Sequence, residues 1–221
     1  MAAPVAIIGG TGSMGQGVAA RLALGGTEVV LGSRDADRGA ASAAALSEKL
    51  GPGAAAISGT SNAEAGTAPI VILSVPYDGI DDNLDAIADT AKEAIIVSMV
   101  NPLAFDKRGP YPLFLEEGSM AERIAARFPA ARVVSAFNTV ASPVLNDLER
   151  PVDEDVLVAG DDPDAVEAVL ALANAVEGAR GVAVGPLRLS VVLESLTPVL
   201  IGVNKRYRTH AGVRFSRLDL S

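Results

Sequence analysis

The stretch Val5-Ala6-Ile7-Ile8-Gly9-Gly10-Thr11-Gly12-Ser13-Met14-Gly15 decides the reading of this chain. Val5–Ile8 is a short apolar run ending in glycines, suited to a buried parallel strand. After it, Met14, Val18 and Leu22 recur at four-residue spacing and predict a helix from Ser13 to Leu24. Between them, Gly10-Thr11-Gly12-Ser13-Met14-Gly15 fits G-x-G-x-x-G. In such a turn Gly10 allows the tight bend, Gly12 lets backbone approach a pyrophosphate, and Gly15 lets the helix pack close to the strand. The free N–H groups at the helix start then face an anion, with Thr11, Ser13 and Met14 above them. A glycine-rich turn without a ligand is the competing account. The strand before the turn, the helix after it and a second strand at the right distance speak against that account.

The second strand, expected over 28–31, separates one dinucleotide from another. Binders of NAD commonly place Asp or Glu at its end. Here the sequence runs Leu31-Gly32-Ser33-Arg34-Asp35-Ala36-Asp37-Arg38. A hydroxyl and a guanidinium stand where the carboxylate would be. Ser33, Arg34 and Arg38 suit a 2′-phosphate, because a planar, permanently charged guanidinium matches phosphate oxygens. They predict NADP rather than NAD. The bland account is that Ser33 only caps the next helix and both arginines are solvated.

Outward from this unit the pattern alternates. Helices are expected over 35–50, with Ser33 or Asp35 as cap, over 80–91, and over 119–128, where Ser119 and Glu122 have capping-box spacing. Strands are expected over 56–58, 70–75, 94–98, 132–136, 156–159 and 182–184. A further helix begins near Asp161 or Asp162, with Pro163 in its first turn. Residues 103–118 read as a long loop. A long apolar helix is expected over 187–207, kinked or divided at Pro198. This order predicts an α/β fold: a Rossmann-type doubly wound parallel sheet with a small C-terminal α/β extension ending in a long apolar helix. The division expected is a dinucleotide-binding domain over 1–141 and an extension over 142–221.

Composition narrows the function. With 18 basic and 27 acidic residues the formal charge is −9, and the pI is near 4.6. That field argues against broad binding of nucleic acid or anionic membrane. There is no cysteine and one histidine, His210. Thiolate metal sites, a cysteine nucleophile and a His-rich metal site are excluded, and no metal is expected. The first residues lack a basic leader, and runs such as Ile70–Leu73 fall far short of the roughly 20 residues that span a bilayer. A soluble cytoplasmic protein is the expectation.

Over nearly its whole length the chain resembles the NADPH-dependent oxidoreductases of coenzyme F420, a 5-deazaflavin. The marks are Ile8-Gly9-Gly10-Thr11-Gly12-Ser13-Met14-Gly15, Gly32-Ser33-Arg34, Val75-Pro76-Tyr77, Ser135-Ala136-Phe137-Asn138-Thr139, Ala159-Gly160-Asp161-Asp162 and Leu193-Glu194-Ser195-Leu196-Thr197-Pro198. Some members carry His where this chain has Asn138. The resemblance implies hydride transfer between C4 of the nicotinamide of NADP(H) and C5 of the deazaflavin of coenzyme F420. The two cofactors carry that chemistry, and the protein aligns two flat rings. The absence of a conspicuous acid–base constellation agrees with this.

Candidates for the ring pocket lie at the C-terminal ends of strands. They are Thr11, Ser13 and Met14, then Ser74, Val75, Pro76 and Tyr77, then Asn138 and Thr139. Pro76 and Tyr77 have an alternative role in ending a strand, and Asn138 in forming a turn. Glu194, Ser195 and Thr197 are polar inclusions in the late helix; contact with the deazaflavin and hydrogen bonding within the protein both account for them. Lys205-Arg206-Tyr207-Arg208, with Arg214 and Arg217, forms the most basic stretch. It suits the phosphate and glutamate tail of coenzyme F420, and equally a helix end whose dipole favours cations. Leu189, Val192, Leu193, Leu196 and Leu200 give that helix a broad apolar face, which predicts a homodimer. The competing functions are NADP-dependent reduction of another small acceptor (imine, flavin or ferric) and a non-catalytic NADP(H) sensor.

Overall fold

The structure is a computed structural model that describes residues 4–219. Ten strands and eight α-helices alternate along these residues. The nucleus is β1 (Val5–Ile8), α1 (Ser13–Leu24) and β2 (Val29–Ser33), followed by α2 (Ala36–Leu50) and β3 (Ile57–Ser61). A short helix α3 (Asn62–Ala65) leads to β4 (Ile70–Leu73), α4 (Ile80–Ala86) and β5 (Ile95–Ser98). A hairpin of β6 (Leu103–Asp106) and β7 (Gly109–Pro112) precedes α5 (Met120–Arg127) and β8 (Arg132–Ser135). Then come α6 (Ser142–Asn146), β9 (Asp155–Gly160), α7 (Pro163–Ala175), β10 (Arg180–Gly185), a 3₁₀ turn (Leu187–Leu189) and α8 (Ser190–Tyr207).

Eight strands form one sheet in the order β10-β9-β8-β5-β4-β1-β2-β3. Both neighbours of β1 run parallel to it, with Ile8 level with Gly32 on one side and Leu73 on the other. The chain travels outward from β1 to β3, then returns to the far side of β1. That reversal opens a crevice beyond the carboxyl ends of β1 and β4, the place where open α/β sheets bind ligands. Alternate residues face opposite layers: Val5 and Ile7 join the core under α1, whereas Ala6 and Ile8 join the core under α4 and α5.

The expected doubly wound sheet is present, with one break in parallelism: β9 runs antiparallel to β8, pairing Ser135 with Ala159. β10 is parallel to β9. The C-terminal extension therefore continues the same sheet. The expected loop over 103–118 contains the β6–β7 hairpin, turned by Asp106, whose carboxylate accepts from the N–H groups of Arg108 and Gly109. Asp35 caps α2 through Arg38 N–H, and Asp162 caps α7 through Ala165 N–H. Pro198 lies inside α8 without dividing it. With its 3₁₀ turn this helix spans Leu187–Tyr207, and an 18-residue stretch of it has a mean hydropathy of 1.4, by length and composition enough to cross a membrane. That corrects the expectation that every apolar run is too short. Here Leu193, Glu194 and Pro198 of α8 are buried in the fold.

A buried arginine fastens the extension to the nucleus. Arg21 on α1 is buried, and its guanidinium donates to the carbonyls of Val144, Leu145, Asp147 and Arg150. These are the acceptors that the end of α6 and its following turn leave open. Within the extension itself, Asp155 holds Arg180 through two bonds of 2.7 and 2.9 Å and also accepts from Phe215 N–H.

Candidate active site

The glycine turn is built as its three glycines require. A Cβ on Gly10 would come within 2.8 Å of the Ile7 carbonyl oxygen. One on Gly15 would lie 2.7 Å from the Gly9 carbonyl oxygen and 2.8 Å from Gly10 Cα. Backbone fills both places, so neither glycine tolerates a side chain. At Gly12 the nearest atom is the Gly9 carbonyl oxygen at 3.3 Å, and the space beyond is open. Gly12 also caps α1 without any side-chain hydrogen bond to the helix start. An uncapped helix N-terminus facing a cradle that a Cβ would enter is the geometry of a bound pyrophosphate. Gly9, not singled out in the sequence, has φ +78° and turns the chain over Ser74.

A cavity of about 350 Å³ lies beside this turn. Thr11, Gly12, Ser33, Arg34 and Arg38 line it, together with Ser74, Val75 and Pro76. The loop after β2 and the first turn of α2 thus bring the two arginines to the cavity that the glycine turn enters. Asp35 stands between them, but its carboxylate is turned to the start of α2. The sequence reading missed Asn62, Asp78, Gly79, Asp82 and Asn83 on the opposite wall. Asn62 is informative. It is buried, its amide N–H₂ donates to Asn83, and its Oδ1 has no partner. The hydroxyl oxygen of Ser74 is likewise buried and unpartnered. Buried acceptors without donors are costly, and on a cavity wall they fit a ligand rich in hydroxyl and amine groups. The ribose hydroxyls and amino groups of a dinucleotide are donors of that kind.

A second cavity of about 290 Å³ adjoins the first. Gly12, Ser74, Val75 and Pro76 line both. The rest of its wall is Ser13, Met14, Tyr77, Met99 and Asn101. Val75, Pro76, Tyr77, Met14 and Met99 give it broad apolar faces suited to flat rings. Ser13 is held across the fold: its hydroxyl meets that of Ser142 at 2.7 Å, and its carbonyl accepts from the Asn146 side chain. Met99 and Asn101 follow β5 and carry no local motif, which is why the sequence did not reveal them.

The remaining sequence candidates stand behind this wall. Asn138 and Thr139 are buried, and neither lines the two cavities. Asn138 accepts from the Ser135 hydroxyl at 3.0 Å and donates to Asn101 Oδ1 at 3.2 Å. Its carbonyl accepts from the Asn101 amide and the Thr197 hydroxyl, each at 2.9 Å. Phe137, just before it, is buried with φ +61°, a strained conformation for a bulky residue. Glu194 is also buried, and its carboxylate accepts from the N–H groups of Met120 and Ala121 at the start of α5. Burial pushes its pKa up to about 7, while those two N–H groups pull the other way. Thr197 and Glu194 thus bind protein groups, for the physical reason that a buried polar side chain takes the nearest unpaired partner. Of the basic stretch, Arg214 pairs with Asp153 at 3.1 Å, whereas Lys205 and Arg206 are exposed at the end of α8.

Residues 4–102 match the family described as NADP oxidoreductase coenzyme F420-dependent. The chain is 36% identical to the F420-dependent NADP reductase of Methanothermobacter thermautotrophicus, over 99% of this chain and 97% of the relative. It is 37% identical to the enzyme of the same name from Methanocaldococcus jannaschii, over 98% and 99% of the two chains. A crystal structure from Arthrobacter sp. FB24, assigned as an F420-dependent NADP-reductase, is similar in fold with a TM-score of 0.81. It is 26% identical, and the match covers 98% of this chain and all of that one.

Proposed function

This chain belongs to the coenzyme F420-dependent NADP oxidoreductase family, and we propose from that premise how its two joined cavities serve hydride transfer between NADP(H) and coenzyme F420. The observation that carries the assignment is the continuous cleft over the glycine turn, with Arg34 and Arg38 at one end and broad apolar faces at the other. The first cavity takes the phosphorylated adenosine half of NADP(H). Gly10, Thr11, Gly12 and Gly15 shape the pyrophosphate cradle, and Ser33, Arg34 and Arg38 hold the 2′-phosphate. Ser13, Met14, Ser74, Val75, Pro76 and Tyr77 align the nicotinamide and deazaflavin rings. When both are bound, the nicotinamide and the deazaflavin would supply the hydride chemistry between them. The protein's part is to hold the rings face to face and exclude water, a contribution worth on the order of 7–11 kcal/mol at best.

Asn138, Thr139, Glu194 and Thr197 support this cleft from behind in our reading. Residues 1–141 form the dinucleotide-binding unit, and 142–221 complete the deazaflavin side and the contact with a second copy. A homodimer is supported by exposed apolar side chains on neighbouring elements: Val192 at 59% and Val199 at 57% on α8, Phe105 at 65% on β6 and Phe114 at 74% after β7. Such a face asks for cover. Light scattering at micromolar concentration should report twice the chain mass; a monomer would refute it. We place the enzyme in the cytoplasm, in keeping with a chain free of cysteine, and assign it neither nucleic acid nor membrane as partner.

Mixing the protein with NADPH and coenzyme F420 tests the function. The deazaflavin's visible absorbance should fall as it is reduced. Tight NADPH binding with no change in that absorbance would favour the sensor reading instead.

A further inference from the structure

Among the described residues Asn101 is the one side-chain amide on the wall of the second cavity, and its orientation is fixed by an unambiguous chain of partners. The carbonyl of Asn138 can only accept. The group facing it at 2.9 Å must therefore be the Asn101 N–H₂. Asn101 Oδ1 then faces the Asn138 side chain, which must present its own N–H₂ at 3.2 Å. That leaves Asn138 Oδ1 toward the Ser135 hydroxyl at 3.0 Å. Every orientation follows from a backbone group that cannot flip. The Asn101 N–H₂ carries two hydrogens, and the Asn138 carbonyl takes one.

We propose that Asn101 donates its second N–H to the pyrimidinedione edge of the bound deazaflavin, and that Thr197 on α8 positions it through Asn138. This rests on the assignment of the second cavity to the deazaflavin. The chemistry needs such a donor. When NADPH gives a hydride to C5 of the deazaflavin, a new C–H bond forms there and the nicotinamide becomes NADP⁺. The electron pair displaced from the ring moves to its N1–C2 carbonyl edge, which takes one proton from water. An N–H held in place before the hydride arrives stabilises that charge as it develops. On the same wall Met14, Val75, Pro76 and Met99 offer no side-chain N–H or O–H donor, the Ser13 hydroxyl is paired with that of Ser142, and Ser74 and Tyr77 carry hydroxyls; Asn101 brings the N–H donor. The Thr197 hydroxyl shares the Asn138 carbonyl with Asn101. It thereby anchors that carbonyl to α8, and the late helix acts on the ring pocket without touching it.

The test uses the full-length enzyme with NADPH and coenzyme F420. Asn101→Ala should lower kcat/KM for coenzyme F420 by roughly tenfold or more, the worth of a hydrogen bond to a charged group. NADPH affinity, read from nicotinamide fluorescence, should stay within about twofold of wild type on the same arithmetic. Thr197→Val removes the hydroxyl at nearly constant shape and should cause a smaller loss in the same constant, roughly threefold to tenfold. Thr197→Ser should restore it. Unchanged deazaflavin kinetics in folded Asn101→Ala would overturn the proposal. So would a loss confined to NADPH affinity, because the amide would then serve the nicotinamide. If wild type fails to reduce coenzyme F420 at all, the assignment of the cavity falls first. Failure of Thr197→Ser to recover what Thr197→Val loses would remove Thr197 from the account.

Discussion

The glycine turn and the wall behind the second cavity make opposite uses of the chain. In the turn, about ten consecutive residues shape the site, and backbone does the shaping. Gly10 and Gly15 have no room for a side chain, and Gly12 faces open space. In the wall, Asn101, Ser135, Asn138 and Thr197 come from three segments up to 96 residues apart and meet through side chains. A local site tolerates change around it and fails at single backbone positions. A site assembled by tertiary contacts weakens by degrees.

Substitution in the turn should give the largest effects. Gly12→Val is expected to abolish NADPH binding in a protein that still folds, since its side chain would fill the open space beyond Gly12 where we place the pyrophosphate. Titration calorimetry with circular dichroism checks both halves, and a folded variant that keeps its affinity would make the turn merely structural. Gly15→Val should instead fail at the level of folding, because its side chain meets backbone.

Next come the arginines. Replacing Arg34 and Arg38 together by Ala should weaken NADPH by at least tenfold, at about 1.4 kcal/mol per decade, and leave NADH little changed. Equal losses for both cofactors would remove the 2′-phosphate from this part of the cleft.

The join between the two regions should respond in stability. Arg21→Met deprives four carbonyls of their donor, and an unfolding free energy lower by on the order of 2–4 kcal/mol is expected from denaturant titration. A change below about 0.5 kcal/mol, the usual bound for an unimportant surface site, would show that α6 holds to α1 by packing alone.

The smallest effect is pH-dependent and lies in the extension. Glu154 is buried beside Gly212, its Oε2 lacks a partner, and burial followed by the charge of Asp153 raises its pKa to about 7. The folded state then binds a proton between about pH 4.5 and 7 that the unfolded state has released. Stability should fall as pH rises through that window. Glu154→Gln, neutral throughout, should flatten the profile by on the order of 2 kcal/mol between pH 5 and 8. Glu194 titrates in the same direction and keeps part of the slope. A Gln variant with an unaltered profile would mean Glu154 is ionised in the fold.

This contrast also explains what the sequence disclosed. Val5–Ile8 and Ser13–Leu24 lie where periodicity put them, and Asp35, Ser119 and Asp162 cap helices that their spacing predicted. Local hydrogen bonds and alternation set these elements, so local sequence records them. The β6–β7 hairpin was hidden in a stretch read as loop because Pro110 and Pro112 argue against a strand; as a two-stranded edge it tolerates both. Antiparallel β9 has no local signature, since strand direction follows from where α6 deposits the chain. Glu194 and Thr197 were visible as polar residues in an apolar helix. Their partners, α5 and the Asn138 carbonyl, are set only by the folded arrangement. Asn101 is the extreme case, a site residue identified by what lies behind it.

The most direct test of the central claim follows the hydride itself. NADPH carrying deuterium at C4 of the nicotinamide, on the face that reacts, is incubated with the enzyme and coenzyme F420 in ordinary water. The two reduced and oxidised products are then analysed by mass spectrometry and proton NMR. Direct transfer across the joined cavities predicts deuterium at C5 of the reduced deazaflavin, in proportion to turnover and without dilution by solvent. Label retained in NADPH, or lost to water while the deazaflavin is reduced, would contradict ring-to-ring transfer in this cleft.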